Sequence, residues 1–218
     1  MNARRMLALG VLVVLGLAFY LGTNAYRERT QAEQDARVEV EKSRLLRMHT
    51  AIIGPQDAPV TIVEFFDPAC ETCRAFYPIV KQIMAQHPGQ VRLALRYAPF
   101  HHGSDQVVKL MEAAKRQSLY MPVLEALLAA QPEWADHAAP DIEVAFRAAA
   151  QTGLDMARAR EDMALPEIQA VLAQDVEDLT ALQVSKTPTF FVNGRSLPSF
   201  GPEQLAHLVA DEVAKARP

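Results

Sequence analysis

Val60-Thr61-Ile62-Val63-Glu64-Phe65-Phe66-Asp67-Pro68-Ala69-Cys70-Glu71-Thr72-Cys73 decides the fold. Its first seven residues form an apolar run with one acid inside it, which reads as a strand buried on both faces and central in a sheet. Asp67-Pro68 breaks the strand. From Arg74 to His87 the apolar residues Phe76, Ile79, Val80, Ile83 and Met84 recur at helical spacing. Pro88-Gly89 ends that helix, and Val91 to Tyr97 alternates as a second strand. The cysteines therefore stand at a strand-to-helix junction.

Downstream, residues 104–182 show helical periods only, punctuated by Pro122, Pro132, Pro140, Gly153 and Pro166. That stretch reads as four or five short helices packed as a cap, with Trp134 as a packing anchor and its methionines as core filler. Thr189 to Val192 is a third strand, Asn193-Gly194 is the preferred two-residue hairpin turn, and Arg195 to Phe200 pairs back antiparallel. Gly201-Pro202 opens a last helix, with proline in its first turn. The resulting α/β order is β, α, β, an all-helical insert between the second and third strands, β, β, α.

Upstream, the run from Met6 to Tyr26 carries no charge over 21 residues. As a helix it measures about 31 Å, close to the roughly 30 Å hydrocarbon thickness of a bilayer. Residues 1–22 are therefore expected to be a transmembrane anchor, or a secretory signal removed near Thr23-Asn24-Ala25. Residues 23–50 carry 11 charged side chains of both signs and neither Gly nor Pro, and read as a helical spacer. Self-association through that spacer is an alternative use of it. The body is expected over 51–218.

The body holds 14 Lys and Arg against 21 Asp and Glu, a net charge of −7. A surface of that sign offers nucleic acid no electrostatic footprint. No Gly-rich phosphate loop or Ser/His/Asp pattern is present. With only 2 cysteines in 218 residues, a disulfide-rich scaffold is excluded as well.

Cysteines at i and i+3 in the first helical turn share a face and can close a disulfide. Unpaired N–H groups at the helix start stabilise a thiolate at Cys70, which becomes the attacking sulfur, while Cys73 resolves the mixed disulfide. Redox exchange needs no cofactor and no metal. The alternatives are a structural disulfide, a zinc site that recruits His101 and His102, or a copper-binding or copper-delivery site built from the cysteines and those histidines. Glu71 and Thr72 are the tuning dipeptide. A carboxylate beside Cys70 is expected to oppose the thiolate and push the couple toward the reducing side.

The stretch Gly54-Pro55-Gln56-Asp57-Ala58-Pro59-Val60 through Asp67, followed by Cys70 and Cys73, resembles the DsbA-like thiol-disulfide oxidoreductases of the thioredoxin superfamily. The resemblance extends from Ile53 to about Ala216 and implies a thioredoxin fold. It also implies that Glu64 is a buried acid beneath Cys73 that relays its proton, and that Pro78 is a helix-kinking proline. Thr187-Pro188 matches a dipeptide whose cis proline faces the disulfide, giving an extended substrate a backbone to pair with. The partners so implied are unfolded or thiol-containing proteins and a membrane redox partner. A paired redox site beside a translocation segment is most useful where disulfides persist, so the expected place is a bacterial inner membrane with the body in the periplasm.

Overall fold

The structure, a computed structural model, describes Leu17, residues 19–23 and residues 43–216. The chain divides into two units, Met1–Glu41 and Lys42–Pro218. In the first, Leu17 and residues 19–23 are helical. The rest of the expected membrane segment, and the spacer from residue 24 to 42, lie outside the described residues. Among the described residues no helix is long and apolar enough to cross a membrane.

In the second unit, strands β1 (Ala51–Ile53), β2 (Val60–Phe66), β3 (Val91–Tyr97), β4 (Thr189–Val192) and β5 (Arg195–Ser196) form one sheet in the order β1-β3-β2-β4-β5. Only the β2–β3 pair is parallel. The helix α1 (Glu71–Gln86) supplies the crossover between them. All seven residues of β2 are buried, as its unbroken apolar run requires of a central strand. Two expectations change. The short β1, added ahead of β2, moves the helical insert to between the third and fourth strands in chain order. The hairpin's second strand ends at Ser196 rather than Phe200, because Leu197-Pro198 follows and Pro198 has no N–H for the ladder.

The insert consists of five helices, α2 (Ser104–Arg116), α3 (Tyr120–Trp134), α4 (Ile142–Ala150), α5 (Met156–Met163) and α6 (Pro166–Ala181), and α7 (Pro202–Ala216) closes the fold. Asp141 and Asp155 cap α4 and α5, each accepting from a backbone N–H three residues on. Trp134 is fully buried, and its indole N–H donates to the Leu127 carbonyl at 3.0 Å, so it anchors the cap.

Alternate residues of a strand share a face. Val60, Ile62 and Phe66 pack in the large core with Cys73, Phe76 and Val80 of α1, while Val63 and Phe65 face a smaller core with Leu45, Leu179 and Phe191. Glu64 therefore points toward the α1 side of the sheet. Leu45 belongs to that smaller core, so the folded body takes in residues upstream of Ala51.

Candidate functional site

Cys70 occupies the N-cap position of α1 in an extended conformation, and Cys73 lies in the first turn. Both are buried free thiols. The segment before β4 meets them. Its Thr187-Pro188 peptide bond is cis, Pro188 is buried, and the Cys70 Sγ donates to the Thr187 carbonyl at 3.4 Å.

The two sulfurs differ sharply in acidity. Cys70 is pulled down to about 5. The Cys73 side chain hydrogen-bonds it, and the Thr187 side chain and the backbone N–H groups of Cys73 and Thr72 add to the effect, together overcoming burial. Those N–H groups are the orphan donors of a helix start. Burial pushes the Cys73 thiol far up, and its hydrogen bond to Cys70 and the charges of Glu64 and Cys70 raise it further. Glu64 is 1 % exposed. Burial lifts its carboxyl to about 8, and its Oε1 has no partner among the described residues. Glu64 is thus mostly protonated at neutral pH, on the face of β2 that carries Cys73.

Two further side chains fix this end of α1. Asp67, fully buried, accepts from the backbone N–H groups of Ala69 (2.9 Å), Phe100 (2.7 Å) and His101 (3.0 Å), from the Ser104 hydroxyl, and from His101 Nδ1 (2.8 Å). It staples the β3–α2 loop to the cysteine turn. Gly103 lets that loop turn back, since its φ of 77° is left-handed and a Cβ there would run into Ile142. Gln131 reaches down from α3, donating to the carbonyls of Pro68 (2.7 Å) and Cys70 (3.0 Å) while its oxygen accepts from Arg74 Nε at 2.8 Å.

Glu71 stands beside Cys70 at the start of α1. Its carboxylate is exposed and pairs with His137 Nε2 at 2.9 Å. Its own backbone N–H and then His137 hold its pKa down. A cleft of about 410 Å³ opens beside it, between Glu71, Gln131 and Asp136.

The sequence pattern of the thioredoxin family, described as Thioredoxin, matches residues 47–211. The chain belongs to the thioredoxin family. Among solved structures it is similar to a thioredoxin-like oxidoreductase from Silicibacter pomeroyi, with 28% identity and a TM-score of 0.68 over 78% of this chain and 95% of that one. It is similar in fold to α-DsbA1 of Wolbachia pipientis, with 17% identity and a TM-score of 0.68 over 81% and 96% of the two chains. The thioredoxin fold that the motif resemblance implied is therefore shown. Among curated proteins, Na(+)/H(+) antiporter NhaA 3 of Salinispora tropica is 35% identical over 170 residues, 75% of this chain. The chain spans about a quarter of the length of that relative.

Within this thioredoxin-family fold the structure brings Cys70, Cys73, Thr187 and Pro188 together, with Glu64 on the face beneath. Thr72 is exposed and contributes its backbone N–H. His102 is exposed, and among the described residues no group of three or more His, Cys, Asp and Glu is arranged to hold a metal ion. The sequence reading missed Asp67 as a hub, where it saw only a strand breaker, and missed Gln131 and His137 entirely. A lone Gln in a helix and a lone His in a loop carry no spacing signal. Asp67 could have been found, since an acid three residues before a helix-start cysteine is placed to bind loop N–H groups.

Proposed function

We propose that the chain is a thiol-disulfide oxidoreductase that acts on protein cysteines outside the cytoplasm through Cys70 and Cys73. The observation that carries this reading is the opposed acidity of the two sulfurs. In the oxidising direction a substrate thiolate attacks Cys70 of the disulfide. Cys73 leaves and, being the far stronger base, takes the proton that neutral Glu64 holds. A second substrate thiolate then displaces Cys70, a good leaving group because its thiolate is stabilised. Two electrons pass from the substrate dithiol to the cysteine pair. Thr187 lies against Cys70, so an extended substrate paired along residues 186–188 presents its sulfur there.

Residues 1–22 are proposed to tether the body to a bacterial inner membrane, with residues 23–42 as spacer or self-association segment and a membrane redox partner to reoxidise the pair. The antiporter relatives add no transport reading. Of the 170 matched residues at most 42 can lie ahead of Ser43, so the match falls largely in the body that carries the cysteines. The test is oxidative refolding of a reduced substrate protein by the full chain. Wild type is expected to catalyse it and Cys70→Ser to abolish it, and full activity in Cys70→Ser would sink the reading. A reporter fused after Pro218 is expected to be active only in the form that requires export.

A further inference from the structure

His101 is not needed by the exchange chemistry above, yet it is built into the site. Its Nδ1 is held at 2.8 Å by Asp67, three residues before Cys70. Its ring lies against that of His137, with centroids 5.0 Å apart, and His137 in turn pairs with Glu71, the residue after Cys70. His101 is thus bracketed by groups linked to both sides of the reactive cysteine. Its side chain is 26% exposed, so it is neither buried in the core nor free in solvent. Asp67 fixes the tautomer, because an Nδ1 that donates to a carboxylate leaves Nε2 as the site that gains or loses a proton.

We propose that His101 is a positioning residue of the redox centre: clamped by Asp67, it presents an imidazolium that stabilises the Cys70 thiolate and makes the disulfide easier to reduce. The charged and titratable groups about it are Asp67, bonded at 2.8 Å, His137, with ring centroids 5.0 Å apart, and Cys70 and Glu71, whose charges act on it. Glu71 is engaged by His137. The acidity of His101 agrees. Burial lowers it, but the hydrogen bond and charge of Asp67, and then the charges of Cys70 and Glu71, carry it above the ordinary value.

The inference rests on the oxidoreductase reading, but its test does not need catalysis. Thiolate absorbance of the reduced full chain is followed against pH in wild type, His101→Gln and His101→Lys. His101→Gln is expected to raise the Cys70 pKa by about one unit, and to shift the equilibrium with glutathione about tenfold, or about 30 mV, toward the reducing side. His101→Lys, which restores a cation, is expected to reverse both. An unchanged pKa in His101→Gln, or a rise that lysine leaves uncorrected, would overturn the proposal in favour of simple loop packing. A readout in the wild-type chain covers a variant that fails to fold. Coupling is reciprocal, so the imidazole of His101, followed by NMR, is expected to titrate higher in the reduced than in the oxidised protein. Equal values would overturn the proposal. A Cys70–Cys73 pair that exchanges with no protein substrate would remove the oxidoreductase reading and leave these titrations intact.

Discussion

Glu64 is the residue whose protonation reverses the usual behaviour of a carboxyl group. Most folded carboxyls titrate below their unfolded value and favour the fold as pH rises. Glu64, lifted from 4.5 to about 8 by burial, is neutral in the fold and charged in the unfolded chain across that interval. The folded state therefore binds the extra proton, and the fold loses stability as pH climbs from about 4.5 to about 8. At pH 7 the loss is about 3 kcal/mol. Glu64→Gln keeps the shape and removes the titration, so it is expected to raise stability at pH 7 by up to that amount and to remove this contribution to the slope. Urea unfolding of the reduced protein at pH 5 and pH 8 measures both effects. The same variant has no proton to give Cys73, so the mixed disulfide with substrate is expected to persist longer, which acid quenching and mass measurement would reveal. An unaltered pH slope would mean that the carboxyl is solvated in the fold.

At the scale of elements, the cysteine turn is held by the insert rather than by the sheet alone. Gln131 of α3 donates to two carbonyls of the turn, those of Pro68 and Cys70, and the second also accepts the Arg74 N–H. Gln131→Ala takes that donor from the Pro68 carbonyl and leaves the Cys70 carbonyl with the Arg74 N–H alone, and is expected to cost about 1–3 kcal/mol, with faster amide hydrogen exchange confined to residues 68–73. Loss of stability spread evenly over the fold would instead mark Gln131 as core packing. None of this was legible in the sequence, whereas β2, α1, β3 and the cysteine junction were, because a continuous apolar run and a helical period each leave a local pattern. Arg96 shows where such patterns stop. Alternation along β3 sets the arginines Arg92 and Arg96 apart from the apolar positions, yet Arg96 is fully buried, gripped by Asp175 at 2.7 Å and Asp178 at 2.8 Å from α6. Asp178 also binds Arg47, and Asp175 binds His49 and the Tyr97 N–H. That network draws residues 44–49 onto the body, so the spacer's end is part of the fold. Its partners are some 80 and 130 residues apart in sequence, beyond any periodicity. β1 was missed for a related reason, since three residues carry too little pattern to be read.

For the whole molecule, the two redox forms are linked to folding through Cys70. The reduced fold holds a thiolate whose pKa falls from 9.0 to about 5, whereas the oxidised fold has no such group. A depressed folded pKa contributes stability that is complete above the unfolded pKa and is lost as pH falls through the folded one. For Cys70 that window runs from about 9 down to about 5, and at pH 7 the contribution is about 2–3 kcal/mol. By the thermodynamic cycle it favours reduction of the disulfide by about 60 mV relative to a pair with an ordinary Cys70 thiol. The expected couple therefore moves away from the thioredoxin value of about −270 mV toward the strong oxidants near −120 mV, opposite to the direction that Glu71 alone implies. Glu64 titrates in the same range but is present in both forms, so its effect largely cancels in their difference. The entropic effect of the crosslink does not vary with pH. What remains is the pH dependence of the stability gap between reduced and oxidised protein, in which Cys70 is the main contributor and His101, coupled to it, a smaller one. Paired denaturant titrations at pH 5, 6, 7 and 8 are expected to show the gap shifting in favour of the reduced form by close to 1.4 kcal/mol for each pH unit above about 5. A gap that stays flat across that range would mean that Cys70 keeps an ordinary thiol, and the oxidising direction would lose its physical basis.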